Sequence, residues 1–95
     1  MFTWLNKQGV ESDRGFVVQF TGRFTAEYRE AGRTITLRVE DGISGNVPSI
    51  ILSPQAFEHW DNEPPGKKIP GAEQQRLLKN FRDACEFQGL KVVLE

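Results

Sequence analysis

The chain has 95 residues and a nearly balanced charge, with 12 basic and 13 acidic side chains and a formal net charge of −1. This length is enough for one domain and too short for two, so we expect a single domain over residues 1–95. A dedicated nucleic-acid binder would carry a clear basic excess, and this chain has none. The 38% of hydrophobic residues indicates a globular protein rather than a disordered one.

Two further features of the composition bear on location. No apolar run approaches the length of a membrane span, and the N-terminus lacks the basic-then-apolar pattern of a signal peptide. The single cysteine, Cys85, cannot form an internal disulfide, so the fold does not depend on an oxidising compartment. These features favour the cytoplasm and predict no membrane partner.

Residues 1–12 are ambiguous between strand and helix, whereas the next part of the chain has a clear pattern. Apolar and polar side chains alternate in the runs 16–20, 24–29 and 34–39, with turn residues between them. A period of two, repeated three times, predicts the antiparallel strands of a β-meander.

The register of these strands can be predicted, because pairing must keep the apolar faces together. A three-residue loop at 21–23 sets these opposite pairs: Phe20 and Phe24, Val18 and Ala26, Phe16 and Tyr28. A two-residue loop at 31–32 sets these: Tyr28 and Ile35, Ala26 and Leu37, Phe24 and Val39, and the charge pair Glu30 and Arg33. One face of the sheet is then apolar and the other is rich in Thr, Glu and Arg.

The second half of the chain contains the remaining elements. We expect a turn or loop at 43–46, then a fourth strand at 47–52, in which Pro48 indicates an edge position or a strand start. Ser53-Pro54 ends this strand, and the stretch from there to Pro70 is too rich in proline for a regular element after about Asn62. A last strand is predicted at 90–94.

A helix is predicted from Pro70 and Gly71 to a stop at Gly89. Its apolar residues fall on one stripe: Leu77, Leu78, Phe81, Ala84 and Cys85. The apolar face of the sheet is the surface available to bury that stripe. The sequence therefore predicts an α+β fold, a two-layer sandwich in which an antiparallel meander of about five strands is covered on one face by a single C-terminal helix.

The candidate chemistry is sparse. His59 is the only histidine, and Cys85, the only thiol, lies on the predicted core stripe, where cysteine behaves as a small hydrophobic residue. His59 with Asp61 and Glu63 is a weak candidate for a metal site, and solvated polarity explains the same pattern. No glycine-rich phosphate loop is present. We therefore expect no enzyme activity, no cofactor and no metal.

Two features favour a binding function instead. Large aromatics stand beside acids at 57–61, and Trp60 is either a loop anchor for a partner or a ring tucked under the sheet edge. Residues 39–66 carry five acids and no Lys or Arg, which indicates either a patch that steers a basic partner or a solvated acidic loop. The candidate partner-binding residues are Glu40, Asp41, Phe57, Glu58, His59, Trp60, Asp61 and Glu63.

The order of features resembles the small immunity proteins of bacterial polymorphic-toxin systems. The resemblance rests on three stretches: Tyr28-Arg29-Glu30-Ala31-Gly32-Arg33 before a strand ending Val39-Glu40, Trp60-Asp61 before Pro64-Pro65-Gly66, and Arg76-Leu77-Leu78-Lys79-Asn80-Phe81 before Phe87-Gln88-Gly89-Leu90. Among the numbered families the chain is most similar to the immunity protein 74 group. These motifs are short, and the last of them runs on to Lys91-Val92; the similarity extends over most of residues 10–95.

The resemblance implies a cytoplasmic, non-enzymatic protein that binds a cognate protein toxin and blocks it. A basic toxin such as a nuclease would suit the acidic segment. Glu40 and Trp60 match positions that such families keep, and a structural role suits both equally well. The alternative hypothesis is a self-associating module that forms a homodimer through an edge strand, either 47–52 or 90–94.

Overall fold

The computed structural model describes residues 1–64 and 66–95, which form seven strands and one helix. The first five strands are β1 (Phe2–Asn6), β2 (Gly9–Ser12), β3 (Phe16–Gly22), β4 (Thr25–Glu30) and β5 (Arg33–Ser44). They are followed by β6 (Val47–Leu52), the helix α1 (Gly71–Phe87) and β7 (Lys91–Leu94). The helix begins and ends where the sequence predicts, because Pro70 precedes its first turn and Gly89 has a positive φ of 81° after its last.

The strands lie in the sheet in the same order as in the chain, from β1 to β7. Every neighbouring pair is antiparallel except β6 and β7, which are parallel because α1 carries the chain back between them. The predicted α+β sandwich, with one C-terminal helix on one face of the sheet, is confirmed. The sheet has more strands than the expected five, since the ambiguous residues at the N-terminus form the β1–β2 hairpin.

The predicted register of β4 against β5 is confirmed. Tyr28 pairs with Ile35, Ala26 with Leu37 and Glu30 with Arg33. Ala31 and Gly32 form the two-residue turn, and both have positive φ angles, as a turn matched to the sheet twist requires.

The predicted register of β3 against β4 is wrong by two residues. Phe20 lies opposite Ala26, Val18 opposite Tyr28 and Phe16 opposite Glu30, with an irregularity between Phe20 and Gly22. The turn consists of Arg23 and Phe24 instead of residues 21–23. A shift of two residues leaves each side chain on its predicted face, but it moves Phe24 into the turn, where it is 54% exposed.

The core lies between α1 and the sheet face that contains Val18, Tyr28 and Leu37, which we call the inner face. The helix buries most of its predicted stripe there, namely Leu77, Phe81, Ala84 and Cys85. Phe57, Trp60 and Ile69, from the segment between β6 and α1, complete the core. No helix in the described part of the chain is long and apolar enough to cross a membrane.

A cluster of four polar side chains, which we call the polar cluster, joins the helix to β4 by hydrogen bonds. The Tyr28 hydroxyl donates to Glu30 Oε1 at 2.6 Å and accepts a hydrogen bond from Asn80 Nδ2 at 3.0 Å. Arg76 donates to both carboxylate oxygens of Glu30, at 3.0 and 2.9 Å. The carboxylate of Glu30 therefore binds the helix, and not its cross-strand neighbour Arg33, whose guanidinium lies over the Trp60 ring.

Strand β5 is the longest, and it is shared by two halves of the sheet. Its first half, up to Arg38, pairs with β4, and its second half, from Val39, pairs with β6. The predicted loop at 43–46 is wrong, because Ile43 and Ser44 continue the strand and only Gly45 and Asn46 form the turn.

Strand β6 lies between β5 and β7, so it is not an edge of the sheet. Pro48 is accommodated close to the start of β6 because pairing with β7 begins only at Ser49. Val47–Leu52 therefore cannot be the dimerising edge strand, whereas β7 lies at an outer edge.

Candidate functional site

Phe57 and Trp60, the two predicted aromatic anchors, belong to the core. Each is only 4% exposed. The Phe57 ring packs edge-on against Phe81 and Tyr28, both at a centroid distance of 5.9 Å. The Trp60 ring lies 6.4 Å from Tyr28, and its other neighbour is the Arg33 guanidinium, 4.3 Å from the ring centroid. The alternative in which Trp60 tucks under the sheet is the one observed, so neither ring is available to a partner.

Asp61 follows Trp60 and forms hydrogen bonds with the edge of β5 that faces away from β4, along the first half of the strand. Its backbone N–H donates to the carbonyl of Thr34 at 2.8 Å, in the manner of a neighbouring strand. Its carboxylate accepts from the backbone N–H of Thr36 at 3.0 Å and from the Thr36 hydroxyl at 2.6 Å. These bonds satisfy main-chain groups that β6 does not reach, so Asp61 has a structural role.

The remaining acids of this loop are close to basic side chains. Glu58 lies 3.7 Å from Lys68. Glu63 lies 3.4 Å from Lys67 and 3.9 Å from Arg33. The fold thus brings basic residues from outside the acidic stretch back onto it, and the loop has less unbalanced charge than the sequence suggests. His59 is exposed beside this loop.

Glu40 and Asp41, in the second half of β5, are different. Both are exposed, and among residues 1–64 and 66–95 no basic side chain lies within ion-pair distance of either. Successive residues of a strand point to opposite faces, so Asp41 shares the inner face with Val39 and Glu40 lies on the outer face. The structure therefore separates them from the Trp60 loop with which the sequence grouped them.

Exposed apolar residues lie next to this pair. Ile43 is 80% exposed, and Val47 is 45% exposed across the turn of the β5–β6 hairpin. By the same alternation Ile43 lies with Asp41 on the inner face, and Val47, which pairs with Ser44, lies with Glu40 on the outer face. We call these four residues, on the two faces of the hairpin, the hairpin surface. The sequence interpretation did not include Ile43 and Val47 in the site, because it ended the strand at Val39-Glu40 and placed Ile43 in a loop at 43–46. The Gly45-Asn46 dipeptide, typical of a two-residue hairpin turn, is the signal that could have joined the two strands.

A gap separates the hairpin surface from the tip of the β3–β4 hairpin. The last main-chain bond between these parts runs from the Val39 N–H to the Phe24 carbonyl, at 3.0 Å. Beyond it β4 has turned away, and no strand of the described residues borders Glu40–Ser44 on that side. We call this gap the β5 notch.

A hollow lies on each face of the sheet beside the β5 notch. The inner hollow, of about 360 Å³, is lined by Trp4, Phe20, Ile50 and Leu90 among others. The outer hollow, of about 720 Å³, is lined by Phe24, Arg38, Glu40, Ile51 and Glu95 among others. Arg23 and Asp41 line both, which shows that the two hollows meet at the notch.

The residues considered for catalysis are placed apart. Cys85 is fully buried, and burial raises the pKa of its thiol to about 12, so it is protonated at neutral pH. His59 is exposed, whereas Cys85 lies in the core. Within residues 1–64 and 66–95, no three or more His, Cys, Asp or Glu side chains are grouped as a metal site would need.

Comparison of the chain with protein-family models, with curated proteins and with solved structures found no match.

Proposed function

We propose that this chain is a non-enzymatic, cytoplasmic binding protein that neutralises a cognate protein toxin by forming a stoichiometric complex with it, as an immunity protein does. The observation that carries the proposal is the hairpin surface, where each face of the hairpin presents one carboxylate and one exposed apolar side chain. Neither carboxylate has an ion pair within the described residues. Exposed apolar side chains with charged neighbours are typical of a surface that another protein covers. The resemblance in sequence to immunity proteins supplies the class of partner.

The charge of this surface favours a basic partner, such as a nuclease toxin. Carboxylates that have no internal partner keep their charge available and attract a basic surface from a distance. The contact region proposed is therefore Glu40 and Asp41 with their apolar neighbours. The acidic loop at 58–63 contributes less, since its carboxylates already have partners within the chain.

The test is a calorimetric titration of the full chain into the toxin encoded beside it, in low salt. We expect a one-to-one complex, weakened about tenfold or more by the double change Glu40→Lys with Asp41→Lys. The matched control is Glu11→Lys with Glu86→Lys, which reverses two other exposed carboxylates and should leave the affinity almost unchanged. Absence of binding, or equal losses in both double variants, would contradict the proposal.

A second candidate, a homodimer, is favoured by one observation. Strand β7 is an outer strand of the sheet, and its Leu94 is 39% exposed. Two β7 strands could pair about a two-fold axis and extend the sheet from one molecule to the other. Light scattering distinguishes the candidates. The average mass of a homodimer approaches twice that of the chain at concentrations well above its dissociation constant, whereas the toxin-binding proposal needs only a monomer.

A further inference from the structure

The β5 notch has an unusual combination of features for a site within a sheet. The main-chain groups of alternate residues in a strand point to alternate sides. Because Val39 bonds toward β4, the N–H and C=O groups of Asp41 and Ile43 point into the notch, whereas those of Glu40 and Gly42 point toward β6. The notch thus presents a short row of main-chain donors and acceptors that no strand of the described residues covers.

From this geometry we propose that the β5 notch binds an extended segment of the partner protein as an added β-strand beside Glu40–Ser44. The inference rests on the proposed function only in taking a protein as the ligand. An added strand sends its side chains alternately to the two faces of a sheet, and here each face has a hollow to receive them.

The lining of the two hollows defines the chemistry of the segment. The apolar part of the inner hollow is formed by Trp4, Phe20, Ile50 and Leu90, and its polar rim includes Lys7, Arg23, Asp41 and Gln88. It therefore takes a side chain with an apolar body. On the outer face the strand residue opposite Glu40 is a lysine or arginine, because opposite charges across a strand pair attract. Glu95 adds a second carboxylate to that face. Arg38 and Arg23 line the same hollow and repel further positive charge, so we expect the bound segment to carry only one or two basic residues. The segment therefore alternates apolar and polar residues and is weakly basic.

The first experiment measures amide hydrogen exchange, residue by residue, by NMR on the full chain alone. We expect fast exchange at Asp41 and Ile43 and slow exchange at Glu40 and Gly42, whose N–H groups bond to β6. Equal protection at all four amides would overturn the proposal, since the edge would then be already occupied. Protection of Asp41 and Ile43 that grows with protein concentration would overturn it as well, because the occupant would be a second copy of the chain.

The second experiment uses a displayed library of random nine-residue peptides, selected against the immobilised full chain. The most enriched peptide is synthesised and titrated into the wild type and two variants. Ile43→Pro removes the N–H that faces the notch and fills the edge with a ring, so it should weaken binding about tenfold or more. Ile43→Thr keeps the N–H and the branched side chain, and it should bind within about threefold of the wild type.

The same peptide provides a readout that does not depend on the folding of a variant. Added to the wild type, it should slow amide exchange at Asp41 and Ile43 and leave β7 unchanged. Protection at β7 or β1 instead, or a selection that enriches no peptide, would overturn the proposal. Charge is tested with Glu40→Lys, which should weaken the basic peptide about threefold.

The outcomes also separate this inference from the proposed function. If the selected peptide pairs with β5 but the toxin does not bind, the added-strand inference stands and the immunity function falls. If the toxin binds equally well to the wild type and to Ile43→Pro, the immunity function stands and the added-strand inference falls.

Discussion

Replacing Tyr28 with phenylalanine tests whether the polar cluster holds the helix on the sheet. The change keeps the ring, which stacks on Phe16 at a centroid distance of 5.5 Å, and removes only the hydroxyl. Asn80, 6% exposed, then loses the acceptor of its Nδ2 group, and Glu30 loses a donor at 2.6 Å. A buried donor left without an acceptor destabilises the fold by about 1–3 kcal/mol, and a hydrogen bond to a charged group stabilises it by a similar amount. We therefore expect Tyr28→Phe to lower the free energy of unfolding by about 2–3 kcal/mol.

The double variant Tyr28→Phe with Asn80→Leu separates the two contributions. It removes the orphaned donor together with its lost acceptor and puts an apolar side chain of similar size in the core. We therefore expect it to be more stable than Tyr28→Phe alone by about 1 kcal/mol. The assay is urea unfolding followed by tryptophan fluorescence, since Trp60 lies in the core beside Tyr28.

The control is Thr3→Val, which removes an exposed hydroxyl from β1 and should change the free energy of unfolding by less than about 0.5 kcal/mol. The reasoning is refuted if the double variant is no more stable than Tyr28→Phe alone. A loss for Tyr28→Phe no larger than that of the control would equally show that the hydroxyl contributes nothing to stability.

Three other predictions concern Glu30, Asp61 and Cys85. The hydrogen bonds from the Arg76 guanidinium lower the pKa of Glu30. The ionised Glu30 carboxylate therefore stabilises the fold above a pH of about 4.5, and this stabilisation is lost as the pH falls through the lowered pKa. Acid unfolding should accordingly be steeper in the wild type than in Glu30→Gln. Asp61→Ala should lower the free energy of unfolding by about 1–3 kcal/mol in urea, because two hydrogen bonds to Thr36 are lost, whereas Glu40→Ala should change it by less than about 0.5 kcal/mol. Cys85 should react with a thiol reagent only at the rate of unfolding; rapid labelling in native buffer would show that it is accessible.

The elements that the sequence predicted correctly are those determined by local patterns. The helix follows from the spacing of Leu77, Phe81 and Cys85 and from the stop at Gly89, and the β4–β5 register follows from the Ala31-Gly32 turn. The β3–β4 register was wrong because apolar alternation is unchanged by a shift of two residues. Only the choice of turn distinguishes the two registers, and the local pattern does not fix it.

The site was harder to predict because it depends on contacts between distant parts of the chain. The sequence interpretation joined Glu40 and Asp41 to the Trp60 loop on the basis of charge in one stretch. Lys67 and Lys68 lie outside that stretch, yet they return to Glu63 and Glu58 in the fold. The burial of Trp60 depends in the same way on Tyr28 and Arg33. Composition along the chain does not reveal which charges are compensated in three dimensions.

The order of strands in the sheet has a consequence for how the chain folds. Each strand from β2 to β6 pairs with the one before it across a short turn, so most of the sheet forms by closing short hairpin loops, which is a rapid process. The exceptions are the parallel pairing of β7 with β6 and the docking of α1. The bonds of α1 from Asn80 to Tyr28 and from Arg76 to Glu30 join residues 52 and 46 positions apart. Contacts of such long range form late, and their loss accelerates unfolding more than it slows folding. We therefore expect the polar cluster between helix and sheet to determine the rate of unfolding, and the hairpins to determine the rate of folding.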